Sequence, residues 1–211
     1  MTKRLRYQVA VTLDGFIAGP KGEYDWIVAD PSIDFAAIYK EFDTVVMGRK
    51  TYEAGLAAGA SVAMPGIDVV VFSRSLPTKS EKGVRITGDD PRKVVAELKA
   101  KSGRDIWLFG GGELFRSLLD AGLVDTVELA VMPVMIGAGI PVLPAGAEKR
   151  LTLVDLKRLP ASGIVVLAYS VEGSRASAPR IRYIKPARAK GAKAKRAKAK
   201  RSTRKSGRRK S

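Results

Sequence analysis

Residues 106–119, IWLFGGGELFRSLL, decide the fold that this sequence predicts. Residues 106–109 form a short, continuous apolar run, which predicts a buried strand. Gly110, Gly111 and Gly112 interrupt the run, and the apolar residues after them recur at helical spacing. Strand, glycine turn and helix in this order leave unpaired backbone N–H groups, which attract phosphate. The stretch therefore predicts a βα unit with a phosphate site, with a plain tight turn as the alternative.

The charge divides the chain into two parts. Of the 38 Lys and Arg residues, 17 lie in residues 174–211, which contain none of the 21 Asp and Glu residues. Residues 1–173 are therefore neutral, and the whole excess of +17 belongs to the last 38 residues. We interpret 1–173 as one domain and 174–211 as a disordered polybasic tail, because the tail has too little apolar surface to fold alone. Such a tail predicts non-specific binding to DNA or RNA backbone, with a solvated charge run as the alternative.

The chain contains no cysteine and no histidine. This excludes disulfides, Cys/His metal sites and Ser–His or Cys nucleophiles, so we predict no metal site. Acid–base chemistry would have to come from carboxylates, Tyr, Lys or bound water. The N-terminus has the pattern of a strand, not of a signal peptide, and no stretch has the roughly 18–20 apolar residues of a membrane span. We therefore expect a cytoplasmic protein, with association to the nucleoid through the tail as a further expectation.

Strand and helix patterns alternate through the first two thirds of the chain. A final hairpin is predicted from strands at 151–157 and 164–171. This pattern indicates a three-layer α/β domain with a mainly parallel central sheet and an antiparallel C-terminal edge. The predicted strands are 5–13, 44–47, 68–72, 84–87, 106–109 and 126–133, and helices are predicted near 35–42, 51–58, 91–101 and after the glycine turn.

The first helix and the loop before it carry the aromatic residues of this region. Phe35, Ile38, Tyr39 and Phe42 predict one apolar helix face, with Ser32 or Asp34 as the N-terminal cap. In the preceding loop, residues 21–31, Trp26 and Ile27 are expected to anchor the chain.

Four stretches in this order resemble the dihydrofolate reductase superfamily. The closest resemblance is to the branch that contains the reductase domain of bacterial riboflavin biosynthesis, the RibD C-terminal domain. The resemblance covers roughly residues 5–171 and implies a dihydrofolate reductase-like fold and NADPH as the cofactor. The stretches are VAVTLDGFIA at 9–18, VMGRKTYE at 46–53, VFSR at 71–74 and FGGGELF at 109–115.

The resemblance also implies a cofactor role for each matching residue. An Arg fork suits phosphate, and two helix N-termini add N–H groups, so the chemistry of these residues agrees. Taken singly, an Arg at a strand end is usually solvated and a Ser after a strand is usually a turn residue. By the resemblance, Ala10 and Ile17 line the nicotinamide pocket, Gly48, Arg49 and Thr51 hold the adenosine phosphates, Ser73 and Arg74 meet the ribose 2′-phosphate, and Gly110, Gly111, Gly112, Glu113 and Leu114 cradle the pyrophosphate.

The sequence identifies catalytic residues less clearly than cofactor residues. Folate reductases carry a pterin-binding acid on the first long helix, and that position falls near Ser32, between Asp30 and Asp34. Since none of the three matches, a true dihydrofolate reductase is not expected. In the riboflavin-type branch an Asp in the first turn faces the substrate, and Asp14 matches it. Asp14 is therefore the first candidate for substrate contact and Asp34 the second, while the proton could come from either residue or from water.

The expected function is NADPH-dependent hydride transfer to a small heterocyclic substrate, pteridine- or pyrimidine-like and of the riboflavin-pathway type. The alternative is a nucleic-acid-associated protein that acts through residues 174–211 and has a cofactor-binding body with little or no turnover. The resemblance also implies a homodimer, although no stretch of the sequence marks a dimer face.

Overall fold

The computed structural model describes residues 2–59, 61–81 and 83–174. The predicted tail, apart from Ser174, lies outside these residues, and so do its expected disorder and nucleic-acid contacts. Within the described ranges, no helix is both long enough and apolar enough to cross a membrane.

Strands and helices alternate as the sequence predicts, and their bounds mostly agree to within two residues. The strands are β1 Leu5–Thr12, β2 Phe16–Ala18, β3 Phe42–Gly48, β4 Asp68–Phe72, β5 Lys79–Glu81, β6 Val84–Thr87, β7 Asp105–Gly110, β8 Thr126–Met132, β9 Ile140–Pro141, β10 Leu151–Arg158 and β11 Val165–Val171. The helices are α1 Phe35–Tyr39, α2 Arg49–Ala57, α3 Pro91–Ala100 and α4 Gly112–Asp120.

Nine strands form one sheet in the order β10-β11-β8-β1-β7-β3-β4-β6-β5. The six strands from β8 to β6 are parallel to one another, and β11 and β10 continue the sheet antiparallel. The predicted α/β fold and its antiparallel C-terminal edge are confirmed. The opposite edge also ends antiparallel, in β5, which the sequence analysis did not predict.

Helices cover both faces of the sheet, which produces the three layers. α3 and α4 bury Val95 and Leu118 against a core that includes Leu5 and Leu108. On the other face, Ile38 of α1 packs in a second core with residues of β3, β4 and β6. Because both faces of the central strands are buried, these strands have nearly continuous apolar sequences, which is typical of parallel sheets.

The amphipathic pattern predicted for α1 is only half correct. Ile38 is buried, but Phe35 and Tyr39 are 55% and 42% exposed, and Phe42, although buried, is the first residue of β3 and not part of the helix. The helix has only five residues, and Asp34 caps it by accepting a hydrogen bond from the Ala37 N–H at 3.0 Å. A helix of little more than one turn buries only a narrow strip of its surface, so Phe35 and Tyr39 stay partly exposed at the edge of this strip.

The loop before α1 is held at one of its two predicted anchors. Trp26 packs beside the core of Met132 and Ile164, whereas Ile27 is 42% exposed and the prediction for it is wrong. Asp30 is a stronger anchor, because its carboxylate accepts hydrogen bonds from the hydroxyl groups of Ser32 at 2.5 Å and Ser162 at 2.6 Å.

A buried charge network lies on β1, at its amino-terminal half. The Arg6 guanidinium donates to both carboxylate oxygens of Glu128 at 2.8 Å and to Glu41 at 2.5 Å. Although burial alone would lower the pKa of Arg6, these two carboxylates raise it above its ordinary value. The guanidinium also lies 4.7 Å from the ring centre of Phe42, so it makes a cation–π contact as well.

Candidate functional site

The six parallel strands all end at the same edge of the sheet. In open α/β sheets, ligands bind outside the carboxyl ends of the strands. Most of the predicted site residues lie at this carboxyl edge, at the last position of a strand, in the turn that follows it or in the first turn of the next helix. The strands reach it at Thr12, Gly48, Phe72, Thr87, Gly110 and Met132.

Two helices begin side by side at this edge. Gly48 is the N-cap of α2 and Gly111 is the N-cap of α4, and neither supplies a side-chain cap. The preceding strands β3 and β7 are neighbours in the sheet, and a Cβ built on Gly48 would lie 3.9 Å from the backbone N of Gly111. Two adjacent helix N-termini without side-chain caps concentrate N–H groups and partial positive charge in one place. This arrangement suits an anion with more than one phosphate.

The glycine turn packs tightly against the rest of the chain. A Cβ on Gly110 would lie 3.1 Å from the Thr51 hydroxyl oxygen, and one on Gly111 would lie 3.4 Å from the same atom. A Cβ on Gly112 would lie 3.0 Å from the Pro141 carbonyl oxygen, and the Gly110–Gly111 peptide bond is cis. Gly110 and Gly112 are thus tightly packed, whereas Gly111 has an ordinary contact distance to Thr51, the residue that joins the two βα turns.

Arg49 is already paired within its own helix. Its guanidinium donates to the two carboxylate oxygens of Glu53 at 2.8 and 3.0 Å, and both side chains are about two fifths exposed. The pair has the i, i+4 spacing at which opposite charges meet on a helix, so the sequence spacing alone indicates this ion pair. Any phosphate contact by Arg49 competes with this carboxylate.

The turn after β4 holds Ser73 and exposes Arg74. The Ser73 hydroxyl oxygen accepts hydrogen bonds from the backbone N–H groups of Leu76 at 2.9 Å and Ser75 at 3.2 Å. The side chain of Ser73 is buried and stabilises the turn, which agrees with the interpretation of Ser73 as a turn residue. Arg74 points to solvent from the same turn and makes no ion pair with the described residues.

The carboxylate of Asp14 binds the backbone of a distant loop. Its Oδ2 accepts hydrogen bonds from the backbone N–H groups of Ile136 at 3.0 Å and Gly137 at 2.8 Å, whereas its buried Oδ1 has no hydrogen-bond partner among the described residues. The nearby Thr12 hydroxyl and then these backbone groups lower the pKa of Asp14, although partial burial opposes them. The carboxyl group is therefore ionised near neutral pH and can accept, but not donate, a hydrogen bond there.

The small sheet of β2 and β9 brings Ile17 towards the glycine turn. β2 contains Ile17 and pairs with β9, and the Pro141 carbonyl of β9 is the group nearest to Gly112. Ala10 of β1 lies in register with Ala130 of β8, and both residues are partly buried against the core of Met132 and Ile164. Because both side chains are small, they project little above the sheet at this point.

Two residues of the predicted phosphate cradle differ in exposure. Glu113 is exposed in the first turn of α4, whereas the side chain of Leu114 is buried in the core below that helix. Leu114 can therefore meet a ligand only through its backbone N–H. Asp34, the second catalytic candidate, is engaged as the cap of α1.

An aromatic row borders the same edge and was not recognised from the sequence. Phe35 and Tyr39 have ring centres 6.4 Å apart, Tyr39 and the buried Trp107 5.8 Å, and Trp107 and Phe109 5.0 Å. Phe109 was predicted to lie in a buried strand, but it is 38% exposed. This prediction is wrong because the residue stands directly before the glycine turn, where the helices no longer cover the sheet. The row offers flat apolar surface beside the two helix N-termini.

The fold is that of a three-layer α/β protein, and the predicted site residues gather at the carboxyl ends of its parallel strands. Comparison with known sequences gives the family: residues 3–166 match the RibD C-terminal domain, and the chain belongs to that family. Its family links the chain to the reductase-like proteins of riboflavin biosynthesis.

Two curated relatives and two solved structures illustrate the similarity. The chain is 32% identical over 183 residues to the uncharacterized protein YyaP of Bacillus subtilis, covering 81% of this chain and 96% of that one. It is 26% identical over 148 residues to the riboflavin biosynthesis protein RibD of Corynebacterium ammoniagenes, covering 64% of this chain and 44% of RibD.

The two solved structures support the fold. A Shewanella sp. PV-4 protein described as a riboflavin biosynthesis protein has a TM-score of 0.69 at 22% identity, covering 82% of this chain and 99% of that one. A diaminohydroxyphosphoribosylaminopyrimidine deaminase/5-amino-6-(5-phosphoribosylamino)uracil reductase of Thermotoga maritima has a TM-score of 0.60 at 17% identity, covering 81% of this chain and 57% of that one. The predicted family and the dihydrofolate reductase-like architecture are thereby confirmed.

Proposed function

We propose that this protein is an NADPH-dependent reductase of a small, planar heterocyclic substrate. The observation that carries the proposal is the pair of glycine-capped helix N-termini, Gly48 and Gly111, which lie next to each other at the carboxyl edge. A dinucleotide needs sites for its pyrophosphate and for the phosphate on its adenosine ribose, and two adjacent N-termini with an exposed Arg nearby match that demand.

The residues at this edge fit the cofactor. The N–H groups that follow Gly111 would hold the pyrophosphate, because a Cβ at Gly110 would crowd Thr51 and one at Gly112 would crowd Pro141. The N-terminus of α2 would take a further phosphate, with Arg49 once it leaves Glu53. Arg74 would meet the ribose 2′-phosphate, since it is exposed and unpaired among the described residues.

The chain's own part in the reaction is orientation and exclusion of water. NADPH, when bound, supplies the hydride. Ala10 is small enough to let a flat ring approach the sheet, and Ile17 would cover that ring from the β2 side. Asp14 is ionised near neutral pH, so we assign it the role of accepting a hydrogen bond from a substrate N–H. Asp34 or a water molecule then remains as the proton donor.

The substrate class follows from the aromatic row. Phe35, Tyr39 and Phe109 are partly exposed beside the proposed cofactor edge, and partly exposed rings of this kind stack on planar heterocycles. A pteridine- or pyrimidine-like ring therefore suits this surface better than a flexible aliphatic substrate. The first compound to test is 5-amino-6-(5-phosphoribosylamino)uracil, which is part of the name of the Thermotoga protein.

The test is a titration of the full chain with NADPH and with NADH, followed by nucleotide fluorescence in about 0.3 M salt. At that ionic strength the charge of residues 174–211 is strongly screened, so that their 17 cations do not imitate a specific site. We expect saturable NADPH binding and much weaker NADH binding. Arg74→Ala should weaken NADPH binding roughly 10- to 100-fold, the value of one charged hydrogen bond, and leave NADH binding unchanged.

Arg92→Ala is the matched control, because Arg92 is an exposed Arg that pairs with Asp90 at the start of α3. It removes the same charge and should leave the affinity for both nucleotides unchanged. Equal affinity for NADPH and NADH would disprove the 2′-phosphate role of Arg74, and no binding of either nucleotide would disprove the reductase proposal. Oxidation of NADPH with 5-amino-6-(5-phosphoribosylamino)uracil, monitored at 340 nm, then tests turnover.

A nucleic-acid-associated protein is the second candidate, and the 17 cations without an acid in residues 174–211 favour it. Binding through this tail would depend steeply on salt and would not distinguish base sequences. A DNA titration at 50 and 300 mM salt tests it, and binding that is lost at the higher salt while NADPH binding persists would assign the two activities to separate segments.

A further inference from the structure

The chain that leaves β9 runs along α4, the helix that starts at the glycine turn. We call this stretch, residues 141–147 with the sequence PVLPAGA, the proline loop. It contacts α4 at Gly112 and at Arg116, which are four residues apart and therefore lie on one face of the helix. The proline loop thus covers one side of the first turn of α4, whose N–H groups are the candidates for binding a pyrophosphate.

At the start of α4, the proline loop packs directly beside the glycine turn. The Pro141 carbonyl oxygen and Cδ of Pro144 would lie 3.0 and 3.1 Å from a Cβ built on Gly112. Val142 lies between the two prolines, and its N–H donates to the Gly15 carbonyl oxygen at 2.9 Å. This end of the loop is therefore held by the β1–β2 turn, and a movement of the loop changes the space beside the first N–H groups of α4.

The other end of the proline loop is held by Arg116, whose side chain is only 9% exposed. Nη2 of Arg116 donates to the Ala147 carbonyl oxygen at 3.0 Å, and Nε and Nη2 donate to the Asp120 carboxylate at 2.9 and 2.6 Å. A Cβ built on Gly146 would overlap Cζ and Nε of the guanidinium, so the loop lies directly on this group. Arg116 therefore contacts the loop on one side and its own helix on the other.

The ion pair with Asp120 does not by itself account for the burial of Arg116. An i, i+4 pair on a helix forms equally well in solvent, and the side chain of Asp120 is 46% exposed. A guanidinium is costly to bury unless its donors are satisfied, so the Ala147 carbonyl is a required partner at this place. The burial of Arg116 thus provides a fixed position of the proline loop beside the glycine turn.

We infer that Arg116 is a positioning residue for the candidate cofactor site: it holds the proline loop against α4 and so keeps the first N–H groups of this helix in place for a pyrophosphate. The inference rests on the proposed function, because it concerns the same site. A loop that is held in advance is not ordered at the expense of the ligand's binding energy. Since Arg116 acts through the loop, its effect is the same for every nucleotide that contains a pyrophosphate.

The experiment compares Arg116→Met with the wild type by calorimetric titration of the full chain in about 0.3 M salt, where the charge of residues 174–211 is screened. Met retains much of the apolar length of Arg and removes its hydrogen-bond donors. We expect the dissociation constants of NADPH and NADH to increase about 10-fold each, which corresponds to one hydrogen bond. Their ratio should stay constant, and the affinity for adenosine 2′,5′-bisphosphate, which has no pyrophosphate, should not change.

Gly146→Ala tests the same contact from the side of the loop. The φ angle of Gly146 is not in the left-handed region, so the backbone accepts Ala, whereas the added methyl group displaces the guanidinium of Arg116. Gly146→Ala should therefore weaken both nucleotides as Arg116→Met does, and the double variant should bind no more weakly than Arg116→Met alone. Arg116→Lys, which keeps the charge and a donor for the Ala147 carbonyl, should restore most of the affinity.

Arg104→Met is the matched control, because Arg104 also donates to backbone carbonyl oxygens, those of Lys40 at 3.3 Å and Gly66 at 3.2 Å. Arg104 directly precedes β7 and thus lies at the opposite edge of the sheet. This variant should leave all three affinities unchanged. A circular dichroism spectrum like the wild type shows that a variant is folded, and Gly146→Ala decides the question if Arg116→Met does not fold.

The outcomes separate this inference from the proposed function. A wild type that binds NADPH together with an Arg116→Met variant of equal affinity overturns the inference and leaves the proposed function intact. A loss of affinity that also includes adenosine 2′,5′-bisphosphate, or that is additive with Gly146→Ala, overturns the inference as well, because it indicates general destabilisation. A wild type that binds neither NADPH nor NADH overturns both proposals.

Discussion

Two glycines in helices should respond to alanine with opposite signs. Gly55 lies within α2, and a Cβ built on it would lie 3.6 Å from Cγ2 of Val62, an ordinary van der Waals distance. Gly112 is the first residue of α4, and its Cβ would lie 3.0 Å from the Pro141 carbonyl oxygen and 3.1 Å from Cδ of Pro144. The first site has room for a methyl group, whereas the second would need the proline loop to move by several tenths of an ångström.

The magnitudes follow from these distances. Gly55→Ala should stabilise the protein by about 0.5–1 kcal/mol, because Ala loses less backbone entropy in a helix and the methyl group creates no clash. Gly112→Ala should destabilise it by about 1–3 kcal/mol, the usual cost of overpacking a tightly packed site. For a domain of this size 1 kcal/mol corresponds to roughly 2–4 °C, so the midpoint should increase by about 1–4 °C for Gly55→Ala and decrease by about 2–12 °C for Gly112→Ala.

Urea unfolding followed by circular dichroism measures both variants. The midpoint concentration should shift while the slope of the transition stays constant, because neither substitution changes the surface exposed on unfolding. A Gly112→Ala variant at least as stable as the wild type would refute the close packing of the glycine turn against Pro141. Loss of stability in Gly55→Ala would contradict the free space that the structure shows around Gly55 in α2. The opposite signs expected for the two substitutions would then no longer follow from the two contact distances.

Three further predictions concern charges. Glu128→Gln should reduce the free energy of unfolding by roughly 3 kcal/mol in urea titrations, because it leaves the buried Arg6 short of one carboxylate. Asp30, whose pKa is lowered to about 2 mainly by the hydroxyl groups of Ser162 and Ser32, contributes stability at neutral pH that is lost as the pH falls from about 4 to about 2. The midpoint of thermal unfolding should therefore depend less on pH in Asp30→Asn than in the wild type over this range. Glu53→Gln should tighten NADPH binding about twofold at low salt, because an exposed helix ion pair of about 0.3–0.5 kcal/mol no longer competes for Arg49.

Each of these three predictions has an outcome that contradicts it. Unchanged urea stability in Glu128→Gln would mean that Glu41 and Asp105 together satisfy Arg6. An acid unfolding profile of Asp30→Asn that coincides with the wild type would assign the acid sensitivity to other carboxylates. Weaker NADPH binding in Glu53→Gln would mean that the carboxylate positions Arg49 for the phosphate instead of competing with it.

The sequence predicted the elements of this fold well because most of them follow local rules. Parallel strands buried on both faces are nearly continuous apolar runs, and β4, Asp68–Phe72, has the predicted bounds. Asp34 and not Ser32 caps α1, and both were candidates. β5, Lys79–Glu81, was not predicted because all three of its residues are exposed, so it lacks any apolar periodicity. Its place in the sheet depends on its pairing with β6.

The site was harder to predict because its geometry depends on contacts between distant parts of the chain. Asp14 binds a loop more than 120 residues away, and Asp30 binds Ser162, which is 132 residues further along the chain. No local pattern marks such partners. The Arg49–Glu53 pair was accessible from its spacing, whereas the exposure of Phe109 depends on where the covering helices end. Local chemistry therefore identified the glycine turns, and the tertiary fold determined which side chains near them are already engaged.

The distribution of paired charges explains why an anion should bind at one edge of the sheet and not at the other. At the amino-terminal edge, Lys3, Arg4 and Arg6 are each held by a carboxylate of the chain at 2.8 Å or less, so their charge is neutralised internally. At the carboxyl edge, the positive ends of α2 and α4 start at Gly48 and Gly111, which supply no side-chain acceptor. Backbone N–H groups that the chain leaves unsatisfied must take their partners from solvent or from a ligand. A phosphate group satisfies several of them at once, so we expect an anion to bind at these two helix N-termini, where the caps supply no side-chain acceptor.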